Sequence, residues 1–176
     1  MASTRRWLVA KRRGYSLWEV VIASTLLTTV VTAVSVVART GRQAWEAEDG
    51  DVKKLEAAHA AVRHLIRNIR QATDITAVSA DGVSPGTLSL TLPSGSTVAY
   101  AYDGTNSVIN YGVTTASSIL ADNITSLKFY SYKADGTTST ATATSVQLMK
   151  IVVGVSLTKD TNAARTVTGW VWVRAW

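Results

Sequence analysis

An uninterrupted apolar stretch near the amino terminus constrains this chain more than any other feature. Residues 20–37 read VVIASTLLTTVVTAVSVV and contain no charged residue, proline or glycine. At about 1.5 Å per residue, a helix of this length would measure about 27 Å, close to the roughly 30 Å hydrocarbon thickness of a bilayer. Inside lipid the backbone must satisfy its own hydrogen bonds, and a helix does so within one segment. The stretch therefore predicts a single transmembrane helix.

Hydroxyl side chains occur along this stretch without adding charge: Ser24, Thr25, Thr28, Thr29, Thr32 and Ser35. In a helix, each hydroxyl can donate to a backbone carbonyl one turn earlier, so no donor is left unsatisfied in lipid. Small side chains also allow a second helix to approach closely. The composition is therefore compatible with a helix that packs against other helices in the membrane.

The positive charge of the chain is concentrated before the apolar stretch. Five basic residues precede the first acidic one: Arg5, Arg6, Lys11, Arg12 and Arg13. Removing their charges from the net +6 leaves +1 for residues 15–176. A basic tail of this kind holds the amino terminus on the cytoplasmic side of a membrane. Nucleic acid is disfavoured as a partner, because its binding requires a basic surface on the folded domain.

Glu19 stands at the start of the apolar stretch, where lipid disfavours a carboxylate. The preceding residues are Gly14, Tyr15, Ser16, Leu17 and Trp18. Together with the basic residues before them, they resemble the type IV prepilin motif: a basic leader, glycine, an aromatic residue, a polar or small residue, leucine, any residue and glutamate. Tyr15 stands where the family usually has phenylalanine.

The resemblance implies a processing route. A membrane prepilin peptidase would cut between Gly14 and Tyr15 on the cytoplasmic side, and the new amino terminus of Tyr15 would be methylated. The apolar helix would be retained. It would pack against other pilin or pseudopilin subunits at an inner-membrane assembly platform, with Leu17 in the helix bundle and Glu19 setting the register between subunits.

Three interpretations of Glu19 remain open. The new ammonium of Tyr15 would lie four residues away, which is the spacing of a helical charge pair, and a carboxylate also suits a helix amino terminus. The ammonium of a neighbouring subunit is the second candidate. Opposite charges about 4 Å apart attract by about 4 kcal/mol at an effective dielectric constant of 20, before desolvation costs. In the third case, Glu19 reaches the lipid headgroups without a protein partner.

The helix is expected to continue beyond the membrane, with Gly41 and Gly50 as weak points where it can bend. Apolar residues then recur at steps of three and four, which predicts one buried helix face: Val52, Leu55, Ala58, Val62, Leu65, Ile66 and Ile69. Alternating segments predict strands at 87–92, 97–102, 107–111, 124–132, 146–157 and 167–174. The Thr- and Ser-rich residues 134–145 are predicted to form a mobile loop.

These elements predict an α+β protein, in which five or six antiparallel strands pack on one long amino-terminal helix. The expected organisation is a basic leader (1–14), a transmembrane and assembly helix (15–38), an amphipathic helix (39–73) and an antiparallel β domain (74–176). This order is also that of pilins and pseudopilins. Residues 62–73 and 120–132 resemble the J-type minor pseudopilins of type II secretion and the W-type minor pilins.

No catalytic constellation, cofactor motif or metal site is predicted. The chain lacks cysteine, and His59 and His64 are five residues apart, so they do not share a helix face as i, i+4 metal ligands would. Three Asp-Gly pairs begin at Asp81, Asp103 and Asp135. They predict turns and lack the spaced carboxylates of a calcium loop.

Three tryptophans lie close to the carboxyl terminus: Trp170, Trp172 and Trp176. In a strand they would share one face. We expect them to pack on the helix or in the core. The alternative is an exposed aromatic patch that contacts a neighbouring subunit or a substrate.

The resemblance favours a structural subunit, a minor pseudopilin or minor pilin of a type II secretion or pilus-like filament. Its β domain would lie on the periplasmic or extracellular side of the membrane. A minor pilin for adhesion or DNA uptake is a variant of this hypothesis. The alternative from another class is a signal-anchored, exported β-rich binding protein or enzyme. Export would then use either a secretory signal with cleavage after Ala38 or a twin-arginine signal at Arg5 and Arg6.

Overall fold

The computed structural model describes residues 14–157 and 165–173. The chain divides into two compact units, the first ending at Trp45 and the second beginning at Glu46. Helix α1 (Leu17–Gln71) contributes to both units. Gly41 and Gly50 both have helical backbone, so neither glycine ends the helix.

In the second unit, one face of α1 is buried, as its periodicity predicted. Its buried apolar residues are Ala58, Ala61, Val62, Leu65 and Ile69. The buried stripe begins later than expected, because Val52 is 48% exposed. Asp51 is buried instead, and its carboxylate lies 3.6 Å from the ammonium of Lys54.

Five strands form the first sheet, with each strand hydrogen-bonded antiparallel to the next in chain order. They are β1 (Asp74–Val78), β2 (Thr87–Thr91), β3 (Thr97–Asp103), β4 (Val108–Val113) and β5 (Ser118–Ala121). Connections of four to eight residues join successive strands, and this local connectivity accounts for the simple strand order.

Three strands form the second sheet, also antiparallel and in chain order: β6 (Ile124–Tyr132), β7 (Leu148–Val155) and β8 (Arg165–Trp172). A short 3₁₀ helix, Ala143–Ser145, lies within the Thr- and Ser-rich loop before β7. Backbone bonds tie the edge of β6 to the loop before β2. In these bonds Gly82 donates to Phe129 at 2.9 Å, and Gly86 donates to Leu127 at 3.0 Å.

The core of the second unit is formed by the buried stripe of α1 and by alternate residues of both sheets. Fully buried side chains from the sheets include Leu88, Leu90, Tyr100, Ile109, Leu127, Phe129, Met149 and Ile151. Every second residue is buried along β6 from Leu127 onward and along β7 as far as Val153, because successive side chains of a strand point to opposite faces.

The α+β layout is confirmed, but the predicted number of strands was too low. The described residues contain eight strands in two sheets, and the prediction missed β1 and β5. Ile75 is the one buried residue of β1, and Ala121 is the one buried residue of β5. Strands this short, with so few buried positions, give a weak alternating pattern. The predicted strands at 146–157 and 167–174 correspond to β7 and β8, which pair antiparallel. Residues 158–164, which connect them, lie outside the described residues.

Gly169 allows α1 to approach β8 closely. A Cβ atom at this position would lie 2.6 Å from Cγ1 of Val62 and 2.8 Å from Cδ1 of Ile66. Both distances are shorter than van der Waals contact, so any larger residue would push the helix and the strand apart.

We expect Gly169→Ala to lower the free energy of unfolding of the second unit by about 1–3 kcal/mol, because the added methyl group overpacks the interface of helix and sheet. Urea denaturation of the protein in detergent, followed by near-ultraviolet circular dichroism, measures this change. The control is Gly104→Ala, where the nearest atom would be Cε1 of Tyr102 at an ordinary 3.5 Å. Equal destabilisation by both variants would contradict the packing argument.

Candidate functional site

The amino-terminal end of α1 brings the residues of the prepilin-like motif together. The carbonyl of Ser16 accepts the N–H of Glu19 at 2.9 Å and that of Val20 at 3.2 Å, and the helix begins at Leu17. Glu19 therefore lies in the first turn, where unpaired backbone N–H groups favour a carboxylate. Tyr15 precedes the helix in the uncut chain. An intramolecular pair of Tyr15 and Glu19 with helical spacing thus requires α1 to extend by two residues after cleavage.

The hydroxyl groups of the apolar stretch donate to carbonyls of the preceding turn, as predicted. Thr28 donates to Ser24 at 2.7 Å, Thr32 to Thr28 at 2.8 Å and Ser35 to Val31 at 2.8 Å. Ser24, Thr25 and Thr29 bond in the same way. These bonds satisfy the hydroxyl donors within the helix.

The first unit leaves its apolar side chains uncovered. Leu17 is 80% exposed, and none of the described residues 14–45 is buried. The most apolar window of α1 has a mean hydropathy of 2.3, so the helix is long and apolar enough to cross a membrane. A helix that is apolar on all sides needs lipid or other helices around it.

Small side chains leave shallow grooves along this part of the helix. One groove is lined by Ser24, Thr25, Thr28, Thr29, Thr32 and Ala33. A second is lined by Tyr15, Glu19, Val20, Ala23, Ser24 and Leu27. Small residues along a helix face are the usual contact surface between membrane helices. The carboxylate of Glu19 therefore lies beside a surface that can receive another helix.

A polar cluster that the sequence did not predict lies between α1 and the five-stranded sheet. Asn68 is buried, and its side-chain amide donates to the phenol oxygen of Tyr100. Nδ1 of His64 lies 3.1 Å from the same oxygen. The His64 ring also contacts Tyr111 edge to face, with 4.9 Å between the ring centroids. The cluster joins the helix to β3 and β4 through side chains far apart in the sequence.

Burial sets the protonation of this cluster. Burial lowers the pKa of His64, and the nearby charge of Arg67 lowers it further. Burial also raises the pKa of Tyr100 to about 12, against a smaller opposite effect of the Asn68 hydrogen bond. A neutral imidazole can accept the phenol hydrogen at Nδ1, which a protonated one cannot. His64 is therefore a half-buried residue of the helix–sheet interface, whereas His59 is exposed.

We expect acidification below about pH 6.5 to destabilise the second unit through His64. The His64 imidazole takes up a proton at about pH 6.5 in the unfolded chain, but only at lower pH in the folded chain. The free energy of unfolding therefore decreases as the pH falls through this window. Thermal unfolding at pH 7.5 and pH 5.5 measures the effect. His64→Gln should reduce the difference in melting temperature, and His59→Gln should leave it unchanged. An unchanged difference in His64→Gln would contradict this assignment.

The Asp-Gly pairs form turns, as predicted. Oδ1 of Asp103 accepts the N–H of Thr105 at 2.9 Å, and Oδ1 of Asp135 accepts that of Thr138 at 2.9 Å. Hydrogen bonds from the side chain and backbone of Thr138 lower the pKa of Asp135 to about 2. These carboxylates thus stabilise their own turns. Within residues 14–157 and 165–173, no group of three His, Asp or Glu side chains is placed to hold a metal ion.

The outer face of the three-stranded sheet carries the tryptophans, and here the expectation of core packing was wrong. Trp170 and Trp172 share this face and are 49% and 58% exposed, because Val167, Gly169 and Val171 face the core instead. Two cross-strand rows form what we call the ring face. They are Tyr130, Lys150 and Trp170 in one row, and Tyr132, Leu148 and Trp172 in the other. Trp176 lies outside the described residues.

Comparison of the chain with protein-family models, with curated proteins and with solved structures finds no match.

Proposed function

We propose that this chain is a structural subunit of a type IV pilin-like filament, a minor pseudopilin or minor pilin processed by a prepilin peptidase. The observation that carries the proposal is the position of Glu19 in the first turn of a long apolar helix, five residues after Gly14. A secretory signal has no need of a carboxylate at this place. A retained helix that must align with its neighbours does need one, because a partner charge on a neighbouring subunit offsets the cost of the acid in lipid and also fixes the alignment.

Cleavage after Gly14 would create that partner charge. The ammonium of Tyr15 would arise two residues before the first helical residue, Leu17, and on the same groove-lined surface as Glu19. In a filament, the Tyr15 ammonium of one subunit can approach Glu19 of the next, so each pair fixes one axial offset between helices. Any other offset leaves both charges without partners, which costs several kcal/mol in a desolvated site. The charge pair therefore selects the axial offset between neighbouring subunits.

The helix surface supports close packing of such subunits. Its hydroxyl donors are already bonded within the helix, and the grooves are lined by small residues. Neighbouring backbones can therefore approach without losing a hydrogen bond. We propose that residues 17–37 form the filament bundle, with Leu17 among its apolar contacts. The α+β unit would then lie outside the bundle, either in the periplasm or outside the cell.

The partners in this proposal are the prepilin peptidase, other pilin or pseudopilin subunits, the inner-membrane assembly platform and the lipid bilayer. The chain itself catalyses no reaction in this role. The exposed β unit would push exported cargo or be displayed as the filament extends.

Processing can be tested directly. When the chain is expressed with a prepilin peptidase, we expect an amino terminus at Tyr15 with one added methyl group. Intact-mass and amino-terminal peptide analysis of membrane fractions measure both. Gly14→Ala is chosen to block the cut, because the motif implies recognition of that glycine. A mature amino terminus at Arg39 would instead identify a secretory signal, and a retained Met1 a simple anchor. Either result would refute the pilin proposal.

The role of Glu19 is tested by Glu19→Gln, which preserves the shape of the side chain and removes its charge. We expect normal insertion and cleavage, with incorporation into filaments reduced about tenfold, which corresponds to about 1.4 kcal/mol. Crosslinking of sheared filaments, quantified against the membrane pool, measures incorporation. The matched control is Glu56→Gln, at an exposed position of the same helix outside the apolar stretch. Normal incorporation of Glu19→Gln would refute the pairing role.

A further inference from the structure

Positive charge accumulates on the last third of α1 without a neighbouring acid. Residues 57–73 contain Arg63, Arg67 and Arg70, two histidines and no aspartate or glutamate. Arg63 and Arg67 are four residues apart, a spacing at which like charges on one helix face repel each other. Within the part of the chain that the structure describes, neither side chain pairs with a carboxylate. This arrangement costs stability unless an anion lies between the two guanidinium groups.

A cleft of about 290 Å³ opens beside these arginines, and its lining residues are Ala60, Arg63, His64 and Arg67. At roughly 30 Å³ per water molecule, the cleft has room for an ion with several oxygens and part of its hydration shell. Burial lowers the pKa of His64, and the charge of Arg67 lowers it further, so this guanidinium lies near the imidazole. Two permanent cations and one imidazole therefore line the same small cavity.

The hydrogen bonds behind the cleft determine which nitrogen of His64 carries the proton. The amide nitrogen of Asn68 can only donate, so the phenol oxygen of Tyr100 accepts from it. The phenol hydrogen is then available to Nδ1 of His64, 3.1 Å away, and the neutral imidazole keeps its own hydrogen on Nε2. Among the described residues, Nε2 has no partner and is not one of the buried atoms that lack one. It is therefore a solvent-accessible donor on a residue that lines the cleft.

The polar side chains of the cleft are all donors, which restricts the possible ligand. A guanidinium has five N–H donors and no acceptor, and Ala60 contributes no polar side-chain atom. A cation is repelled, and a group that must donate finds no side-chain acceptor here. A carboxylate has two oxygens, and a single guanidinium can occupy both through parallel hydrogen bonds. Two guanidinium groups and Nε2 of His64 together suit an anion with three or four oxygens.

We propose that this cleft binds a phosphate-type oxyanion between the guanidinium groups of Arg63 and Arg67 and Nε2 of His64. The ion is either free phosphate or the phosphate of a lipid headgroup, which share the same binding chemistry. Once bound, it removes the repulsion between the two arginines. It also extends the hydrogen bonds that run from Asn68 through Tyr100 to His64, so the bound ion stabilises the junction of α1 with β3.

The chain has two histidines, so one spectrum can show the site and a control together. Full-length protein without a histidine tag, in non-ionic detergent, is titrated with sodium sulfate at constant ionic strength. The Cε1–Hε1 resonances of both imidazoles are followed by NMR, and His59→Gln assigns them. We expect the His64 resonance to shift until the site is saturated, whereas the resonance of the exposed His59 stays in place.

A bound anion should also raise the pKa of His64, because a negative charge beside an imidazole favours its protonated form. The charged or titratable groups that face this ring are Arg63 and Arg67 on α1, Tyr100 on β3 and Tyr111 on β4. Sulfate keeps its double negative charge across the pH range in which an imidazole titrates. A higher pKa of His64 in sulfate, with that of His59 unchanged, therefore reports an anion at the cleft.

Arg63→Gln and Arg67→Gln each remove one cation from the cleft and should weaken sulfate binding about tenfold, as expected for the loss of one charge-assisted contact. Arg67→Lys keeps the charge without the planar fork and should restore only part of the affinity. The matched control is Arg70→Gln, at an exposed position of the same helix that does not line the cleft. Its effect should stay below about twofold, because exposed charges are screened by salt. Thermal unfolding of each variant verifies that the fold is intact.

The source of the ion is distinguished in nanodiscs. A shift of the His64 resonance in phosphatidylglycerol, without added phosphate and relative to phosphatidylcholine, would identify a lipid headgroup. A shift in phosphatidylcholine only after inorganic phosphate is added would identify the free ion.

Three results would overturn the proposal. The first is no saturable shift of the His64 resonance in sulfate or phosphate. The second is unchanged affinity in both Arg63→Gln and Arg67→Gln. The third is equal affinity for other anions: for chloride, it would show diffuse attraction by charge, and for acetate, it would assign the cleft to carboxylates. None of these outcomes depends on cleavage at Gly14 or on filament assembly.

Discussion

The packing of one helix face against two sheets is the interaction on which the second unit depends. Ala58, Ala61 and Leu65 expose 1% of their surface or less, so the helix is the element that both sheets share as a core. Neither a five-stranded nor a three-stranded sheet can cover its own inner face. The small residues on the helix and Gly169 on β8 shorten the distance between the layers. The close fit at this interface fixes which faces of β6–β8 remain outside.

The sequence of α1 changes along its length in a way that suits two different solvents. Between residues 20 and 37 it is apolar on every side, whereas in the second unit it is apolar on one face only. That change was readable from the sequence, because lipid removes the need for a polar face and water restores it. The α+β class and the strands β7 and β8 could also be predicted, because their apolar residues follow the helical or the alternating period. β1 and β5 could not, because each buries too few residues to alternate visibly.

The candidate sites also differ in whether the sequence alone could reveal them. The motif around Gly14 and Glu19 is local in sequence, so its elements could be recognised before any coordinates. The His64 cluster could not, because Asn68 and Tyr100 are 32 residues apart and meet only after folding. Trp170 and Trp172 were correctly expected to share a face. Whether that face lies inside or outside depends on which residues of β8 contact the helix. Gly169, which allows α1 to approach closely, was the sequence feature that could have shown this.

The hydroxyl bonds inside the apolar stretch have a mechanical consequence. Because Thr28, Thr32 and Ser35 already donate to their own helix, they offer a neighbour methyl and methylene surface but no free donor. A contact made through shape alone has no directional bond to break when one helix slides or rotates against another. Such a contact yields gradually under tension or torsion, which suits a flexible rod better than a rigid one.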